Sequence, residues 1–539
     1  MPISTSRRTF LRLLGVTGAL SATAACGGPA PENTPAPAAR ADARPTETRP
    51  ADATPTAEAK PAETRPAATP AATRPADARP TAEAKPTAEA KATAEAKPAD
   101  ARPTESKPVD KPTTAPATAK TATTGPAVTV ELLHTWEGDH GGARAMAALA
   151  KRYEALKPNV KIKQTVVAGA EYERKQLAAF ASGVVPDMTL TTAETVPVYA
   201  DRDVLVPLDD YVKRDKLDPK DWFDFTITQC SWKGKLYAMT HHPDVRSIVY
   251  RNVPLMEEAG LDGSKPPTSW DQLKEWGIKM NRTDRNRTTQ YGWVPSWIQN
   301  PWAIQYPQAN GQAFLDSEGR KISYDSPATV EALEFVIKAT DEVNGGRNRI
   351  VEFDAGQPVK GQEDIYGNSG LGIAIGGNWY LDRIANVSKN EKALKSQVSM
   401  FPGGPSARGR EFMFGGGTMD SVIKGAKQQD AAWAYTSWIA LPEGQFIAQD
   451  VSYDVGGHRE GAQDPRIVNN RLLRKEILPM FDKATDMAHF YSPTWPAMRD
   501  QVIQIQNALL LKQLTPAQGA KELQTKLQAI LDDYWSKKK

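Results

Sequence analysis

The stretch GKLYAMTHHPDVRSIVYRNVPLMEEAGLDGSKPPTSWDQL, residues 234 to 273, decides how the rest of the chain is read. Gly234-Lys235 suits a tight turn into the apolar run Leu236 to Met239, and Pro243 is expected to end that strand, since proline brings no N–H to a ladder. Ser247-Ile248-Val249-Tyr250 is β-branched and aromatic, as a buried strand is. A short helix is expected from Pro254 to Ala259, stopped by Gly260, which accepts the left-handed conformation of a C-cap. Pro266-Pro267 then enforces an extended lead-in. Thr268, with Asp271 three residues on, has the spacing of a capping box opening an amphipathic helix over Trp270 to Met280. The stretch thus closes one structural unit and begins a second.

Upstream, the chain alternates strand and helix. Val128 to Leu133 reads as a strand and Gly141 to Lys157 as a helix with Met146, Leu149, Tyr153 and Leu156 on one face, ended by Pro158. Val160, Ile162, Gln164 and Val166 alternate as a second strand. A helix from Glu171 to Ser182 stops at Gly183, and residues 184 to 190 form a third strand. This order predicts α/β layers on a largely parallel sheet, whose ligands sit beyond the strand C-termini. The loops His134 to Gly141 and Thr191 to Thr195 are therefore expected at the rim of one cleft.

Several segments together resemble the extracellular solute-binding proteins of ABC importers, in the sugar-binding group that includes the maltose-binding protein. They are Gly-Lys-Leu-Tyr-Ala (234 to 238), Tyr250 with Asn252, Glu-Ala-Gly-Leu-Asp (258 to 262) and Pro-Pro-Thr-Ser-Trp-Asp-Gln-Leu (266 to 273). Further matches are Phe180 to Gly183 with Pro186-Asp187, Leu205 to Asp209, Gly376 to Trp379, and Gly415 to Gly417 leading into a helix at Asp430 to Ala440. The resemblance covers about Val130 to Tyr534. It implies a type II periplasmic-binding-protein-like α/β fold, two discontinuous lobes around a hinge cleft. The first lobe is expected over about 128–240 and 412–464, the second over about 244–411 and 465–539, with Pro516 to Tyr534 as the last helix. Gly376-Gly-Asn-Trp379 departs from the family's more usual Gly-Pro-Trp, and Gly456-Gly-His-Arg459 from a proline-containing segment.

A sugar cleft requires flat aromatic platforms for C–H faces and planar polar groups for hydroxyls. By position in the resemblance, Asp244 and Glu194 match acidic ligand contacts, and Trp379 and Trp495 match stacking aromatics. Trp136, Glu137 and Asp139 occupy the first loop, and Trp297 and Trp302, with Tyr306, lie in a proline-rich segment. His241-His242 with Asp244 is a poor metal site, because adjacent side chains on an extended chain face opposite ways. Gly404 to Arg410 lacks the Lys-Ser/Thr of a phosphate loop, and neither a Gly-x-Ser-x-Gly nor a His-Glu-x-x-His pattern is present. No catalytic residue, metal or cofactor is assigned. The net charge of +3 gives no argument for nucleic acid.

The N-terminus is of a different kind. Ser6-Arg-Arg-Thr-Phe-Leu11 is a twin-arginine export pattern before an apolar stretch, Leu13 to Ala25, too short to stay in a bilayer as a span. Ala24-Ala25-Cys26-Gly27 resembles a lipobox, which implies a signal peptide over 1–26 and acylation of Cys26, although Thr23 departs from the usual aliphatic residue. The only other cysteine is Cys230. From Gly27 to Ala127 there is no aromatic, Ile, Leu or Met side chain, only repeats such as Thr-Ala-Glu-Ala-Lys at 56, 81, 87 and 93. Such a segment forms no core and is expected to be a tether, with a coil dimension of roughly 50 to 60 Å.

The expectation is a non-enzymatic lipoprotein, a monomer on the outer face of the cytoplasmic membrane, that hands a mono- or oligosaccharide to the transmembrane subunits of an ABC permease. The alternatives are a surface carbohydrate-active enzyme, a sensory or adhesive lipoprotein of the same fold, and a binding protein for a non-sugar solute.

Overall fold

The computed structural model describes residues 125–298, 301–316, 318–484 and 492–538. The export pattern, Cys26 and the tether up to residue 124 lie outside the described residues. The first lobe opens with β1 (Val128–His134), α1 (Gly141–Leu156), β2 (Val160–Val166), α2 (Ala170–Ser182) and β3 (Met188–Thr192). β1 pairs in parallel with both β2 and β3. α1 buries Ala145, Met146, Leu149, Ala150 and Tyr153, the three-to-four spacing that lays one helical face on a sheet. Gly183, at φ 72°, ends α2 as read from the sequence.

The chain leaves this lobe through β4 (Met239–Val245) and enters the second through β5 (Ile248–Asn252), with only Arg246 and Ser247 between. The strand does not stop at Pro243. Proline is accommodated because β4 is the edge of its sheet and has a neighbour on one side only.

In the second lobe β5 is the middle of a three-stranded antiparallel sheet between β6 (Ile373–Gly376) and β7 (Ser396–Ser399). The chain then returns through β8 (Gly415–Val422), which inserts antiparallel between β3 and β4 and completes the first sheet in the order β2-β1-β3-β8-β4. The first sheet is therefore mixed, its one reversed strand being the one that arrives from the other lobe.

Alternate residues of the second sheet feed two separate cores. Val249, Ile373 and Ile375 belong to one apolar cluster, and Ile248, Tyr250 and Ala374 to another, as a strand with a period of two requires when both faces are covered. The first cluster takes in α3 (Trp270–Met280), α4 (Trp302–Ala309) and α5 (Pro327–Asn344) of the second lobe. Ser269, one residue later than the Thr268 of the sequence reading, caps α3 by accepting from the Gln272 amide at 3.2 Å, while Thr268 donates its own N–H to the Gln272 side chain. Gln272 thus ties down the residue before the cap, and the reciprocal bond to the N-cap amide that would complete a capping box is not made.

Two helices cover the first lobe after β8: α6 (Gln429–Ala440), and α7 (Pro442–Ser452), which packs on α1. The last two, α8 (Trp495–Leu510) and α9 (Pro516–Ser536), pack on each other, with α8 also against α4 and α9 against α5. They belong to the second lobe. Thr515 and Gln518 close a complete capping box at the start of α9. Among the described residues no helix is long and apolar enough to cross a membrane.

Candidate functional site

The crossing strand carries the polar groups. In β4 and just beyond it, His241, His242, Asp244 and Arg246 run past β8, with Thr418 opposite His242 and Gly416 opposite Asp244. Two of the three glycines of β8 make the approach possible. A Cβ at Gly416 would overlap the Arg246 guanidinium, and Gly417 adopts φ 133° with its Cβ position 2.8 Å from the Asp244 amide nitrogen, a conformation that L side chains rarely adopt.

Adjacent histidines take different partners, as the pleat dictates. His241 Nδ1 lies 2.7 Å from Asp420 Oδ2 in the first lobe, both side chains fully enclosed. His242 Nδ1 is 3.0 Å from Asp454 Oδ2, and its Nε2 is 3.4 Å from Asp244 Oδ1. Burial by itself would lower the proton affinity of His242, but Asp454 and Asp244 outweigh it and raise the pKa well above its ordinary value. Burial likewise works to raise Asp454, and His242 overcomes it, leaving that carboxyl below its ordinary value. A buried pair of this kind is held by mutual attraction against desolvation, so removing either partner leaves an uncompensated charge.

From His242 the charges continue outward. Asp244 Oδ2 is 3.8 Å from Arg246 Nη2, Arg246 Nη1 is 3.5 Å from Glu194 Oε1, and Glu194 Oε2 is 3.7 Å from Arg499 Nη1 on α8. Glu194 lies in the loop after β3. A line of alternating charge thus runs from the first lobe, along the crossing, to the second lobe.

The loop after β1 supplies the aromatic surface. The half-buried Trp136 ring lies over Gly142, where any Cβ would collide with it. It stacks on His140 at 5.9 Å between centroids and tilts over His242 at 5.1 Å. His140 itself caps α1, its Nδ1 accepting from the Gly142 amide at 3.0 Å. One turn on, Arg144 donates to Asp139 at 2.7 Å and to the Val451 carbonyl at 3.1 Å, and it also pairs with Asp382 of the second lobe. Asp382 ends the short helix Tyr380–Asp382 that follows Trp379. Asn378, in the place of the family's usual proline, accepts from the Val245 amide at 2.9 Å.

Of the residues selected from sequence, Trp136, Glu194 and Asp244 come together around the crossing. Trp379 stands beside them through its neighbour Asn378, half-buried, its ring folded back over Gly377. Asp139 is exposed and serves Arg144; Glu137 is exposed as well. Trp297 and Trp302 line one cavity of about 210 Å³ with Arg347, Asp354, Gln506 and others. Trp302 and Trp495, at 2% and 1% exposure, are core residues, and Trp495 meets the edge of Phe314 at 6.1 Å. Neither presents an open face in this structure, because α4 and α8 bury their apolar stripes against each other. Sequence reasoning missed Arg144, Arg246, Asp382, Asp454 and Arg499. Only Asn378 was signalled, by the departure from Gly-Pro-Trp.

Known proteins share this architecture. CpMnBP1 with mannotriose bound superposes with a TM-score of 0.64 at 25% identity, covering 75% of this chain and 100% of that one. The cyclic alpha-maltosyl-1,6-maltose binding protein from Arthrobacter globiformis does so with a TM-score of 0.58 at 20% identity, covering 76% and 100%. Among curated sequences, the maltotriose-binding protein of Pyrococcus abyssi is 23% identical over 333 residues, which is 60% of this chain and 66% of that protein. The sn-glycerol-3-phosphate-binding periplasmic protein UgpB of Escherichia coli K12 is 26% identical over 176 residues, 32% and 39% of the two lengths. Residues 138–446, more than half of the chain, match the family model, and the protein belongs to the bacterial extracellular solute-binding proteins.

Proposed function

We propose that this protein captures a sugar, a mono- or oligosaccharide, between its lobes and delivers it to the transmembrane subunits of an ABC permease, acting by binding alone. The observation that carries the reading is the line of alternating charge from Asp454 through His242, Asp244 and Arg246 to Glu194, with the Trp136 ring beside it. Charged, geometrically fixed acceptors and donors next to an aromatic face suit a ligand with hydroxyl edges and C–H faces. The maltotriose- and mannotriose-binding proteins among its relatives support the same class of ligand. In this proposal Trp136, Glu194, Asp244 and Trp379 contact the sugar, and the cavity beside the half-buried Trp297 is a place for further sugar units.

The same proposal covers the N-terminal segments. Residues 1–26 act as a twin-arginine lipoprotein signal, Cys26 is acylated, and 27–127 tether the binding domain, 128–539, as a monomer on the outer face of the cytoplasmic membrane.

A thermal-shift panel of neutral sugars, polyols and sn-glycerol-3-phosphate tests the ligand class. A ligand at a hundred times its dissociation constant adds about 2.7 kcal/mol of stability. Stabilisation by neutral sugars is expected; stabilisation by the phosphate ester alone would assign the cleft to the class bound by the UgpB relative.

A further inference from the structure

Asp382 is 2% exposed, between the lobes. Its Oδ1 receives the Asn386 amide at 2.7 Å and the Arg144 guanidinium. Its Oδ2 has no hydrogen-bond partner, and it points at the N-terminus of α1, 3.0 Å from the position a Cβ on Gly141 would take. Two more buried carboxylate oxygens, Asp454 Oδ1 and Asp420 Oδ1, have no hydrogen-bond partner, whereas Asp244 Oδ1 faces His242 Nε2 at 3.4 Å. Asp454 is the one that neighbours Asp382. Asp244 and Asp454 flank the two nitrogens of His242, and Asp454 is close enough to Asp382 to add to the burial that raises the latter's pKa. An enclosed carboxylate oxygen without a donor is costly, and it accepts only.

Resting on the sugar reading above, we propose that Asp382 is a ligand-binding residue, and that its Oδ2 with Asp454 Oδ1 forms a pair of hydroxyl acceptors selecting neutral, polyhydroxylated ligands. Hydroxyl groups supply the donors these oxygens lack. An ionised phosphate or carboxylate group brings no donor to these oxygens and leaves them unsatisfied, which disfavours it there. Arg144 is the partner that Asp382 keeps on the other lobe, so the contact also reports closure.

The test is calorimetric titration of the full chain with mannotriose, maltotriose and sn-glycerol-3-phosphate, using wild type, Asp382→Asn, Arg144→Gln and the double variant. The neutral oligosaccharide that the wild type binds is expected to lose about tenfold or more in affinity in Asp382→Asn, the scale of one charged hydrogen bond, and to lose it again when the change is made in the Arg144→Gln background. Melting temperatures show whether the variants fold. If Asp382→Asn melts early, Asp382→Glu, which keeps the charge but moves the oxygen, carries the same expectation. An affinity within twofold of wild type, or a loss that vanishes without Arg144, overturns the proposal and leaves sugar binding intact. Wild-type binding of the phosphate ester alone, or of none of the three, overturns the sugar reading and this proposal with it.

Discussion

The side-chain oxygen of Asn378 accepts a hydrogen bond from the Val245 amide at 2.9 Å, so a residue from the second sheet's side satisfies the last backbone donor of the strand that leaves the first. Asn378 is fully buried, and its own amide reaches toward the Pro243 carbonyl at 3.4 Å. The crossing is thereby clamped on both sides of Asp244.

Asn378→Ala is expected to lower the unfolding free energy by about 1 to 3 kcal/mol, because it strands a buried amide donor. For a domain of about 410 residues 1 kcal/mol corresponds to about 1 °C, so the melting temperature is expected to fall by about 1 to 4 °C. Calorimetric melting measures it. No change would mean that the Val245 amide finds another partner.

The His242 cluster sets a pH dependence of known sign. His242 has its pKa raised in the fold above its ordinary 6.5, so its contribution is fully present below that value and is lost as pH rises through the folded pKa. Asp454 is lowered from 3.8, so its contribution is present above that value and is lost as pH falls through the folded pKa. Urea midpoints are therefore expected to decline on the alkaline side for wild type, and His242→Gln should lack this part of the slope. Parallel curves would show that folding does not change the proton affinity of this histidine.

How much of this was legible in the sequence differs between elements and site. α1, β2, α2 and α9 lie within a residue or two of their expected spans, because each carries its own period and its own stop: Pro158 after α1, Gly183 after α2, Thr515 before α9. Pro243 misled, since only the sheet order shows that β4 is an edge where proline costs no bond. The tryptophans misled for a related reason. An indole looks alike in sequence whether it is buried where two helices meet, as at Trp302 and Trp495, or lies half-buried on a loop over polar groups, as at Trp136. The charged groups of the site were invisible because their partners are remote in the chain, Arg144 with Asp382 and His242 with Asp454.

The tether is expected to be removable. With no core-forming side chain between Gly27 and Ala127, mild proteolysis should trim the chain to a stable fragment beginning near residue 127. Mass spectrometry of the limit digest identifies it; protection of the repeats would contradict a tether.

Anchoring has its own check. Cys26→Ala should release the protein from the membrane fraction, whereas wild type should incorporate labelled fatty acid. A variant that stays membrane-bound, with no label on the wild type, would contradict the lipoprotein assignment.

The central claim is that the groups around the crossing hold a sugar between two closing lobes. Micromolar affinity corresponds to about 8 kcal/mol, more than one aromatic face or one charged hydrogen bond supplies, so several groups must act together. The most direct measurement is titration calorimetry with the best neutral sugar from the panel on wild type, Trp136→Ala, Asp244→Asn and Trp379→Ala, with small-angle scattering on the same samples. The account predicts compaction of the wild type on binding and a loss of about ten- to a hundredfold in affinity for each variant. Wild-type affinity in all three variants would contradict it and place the ligand elsewhere.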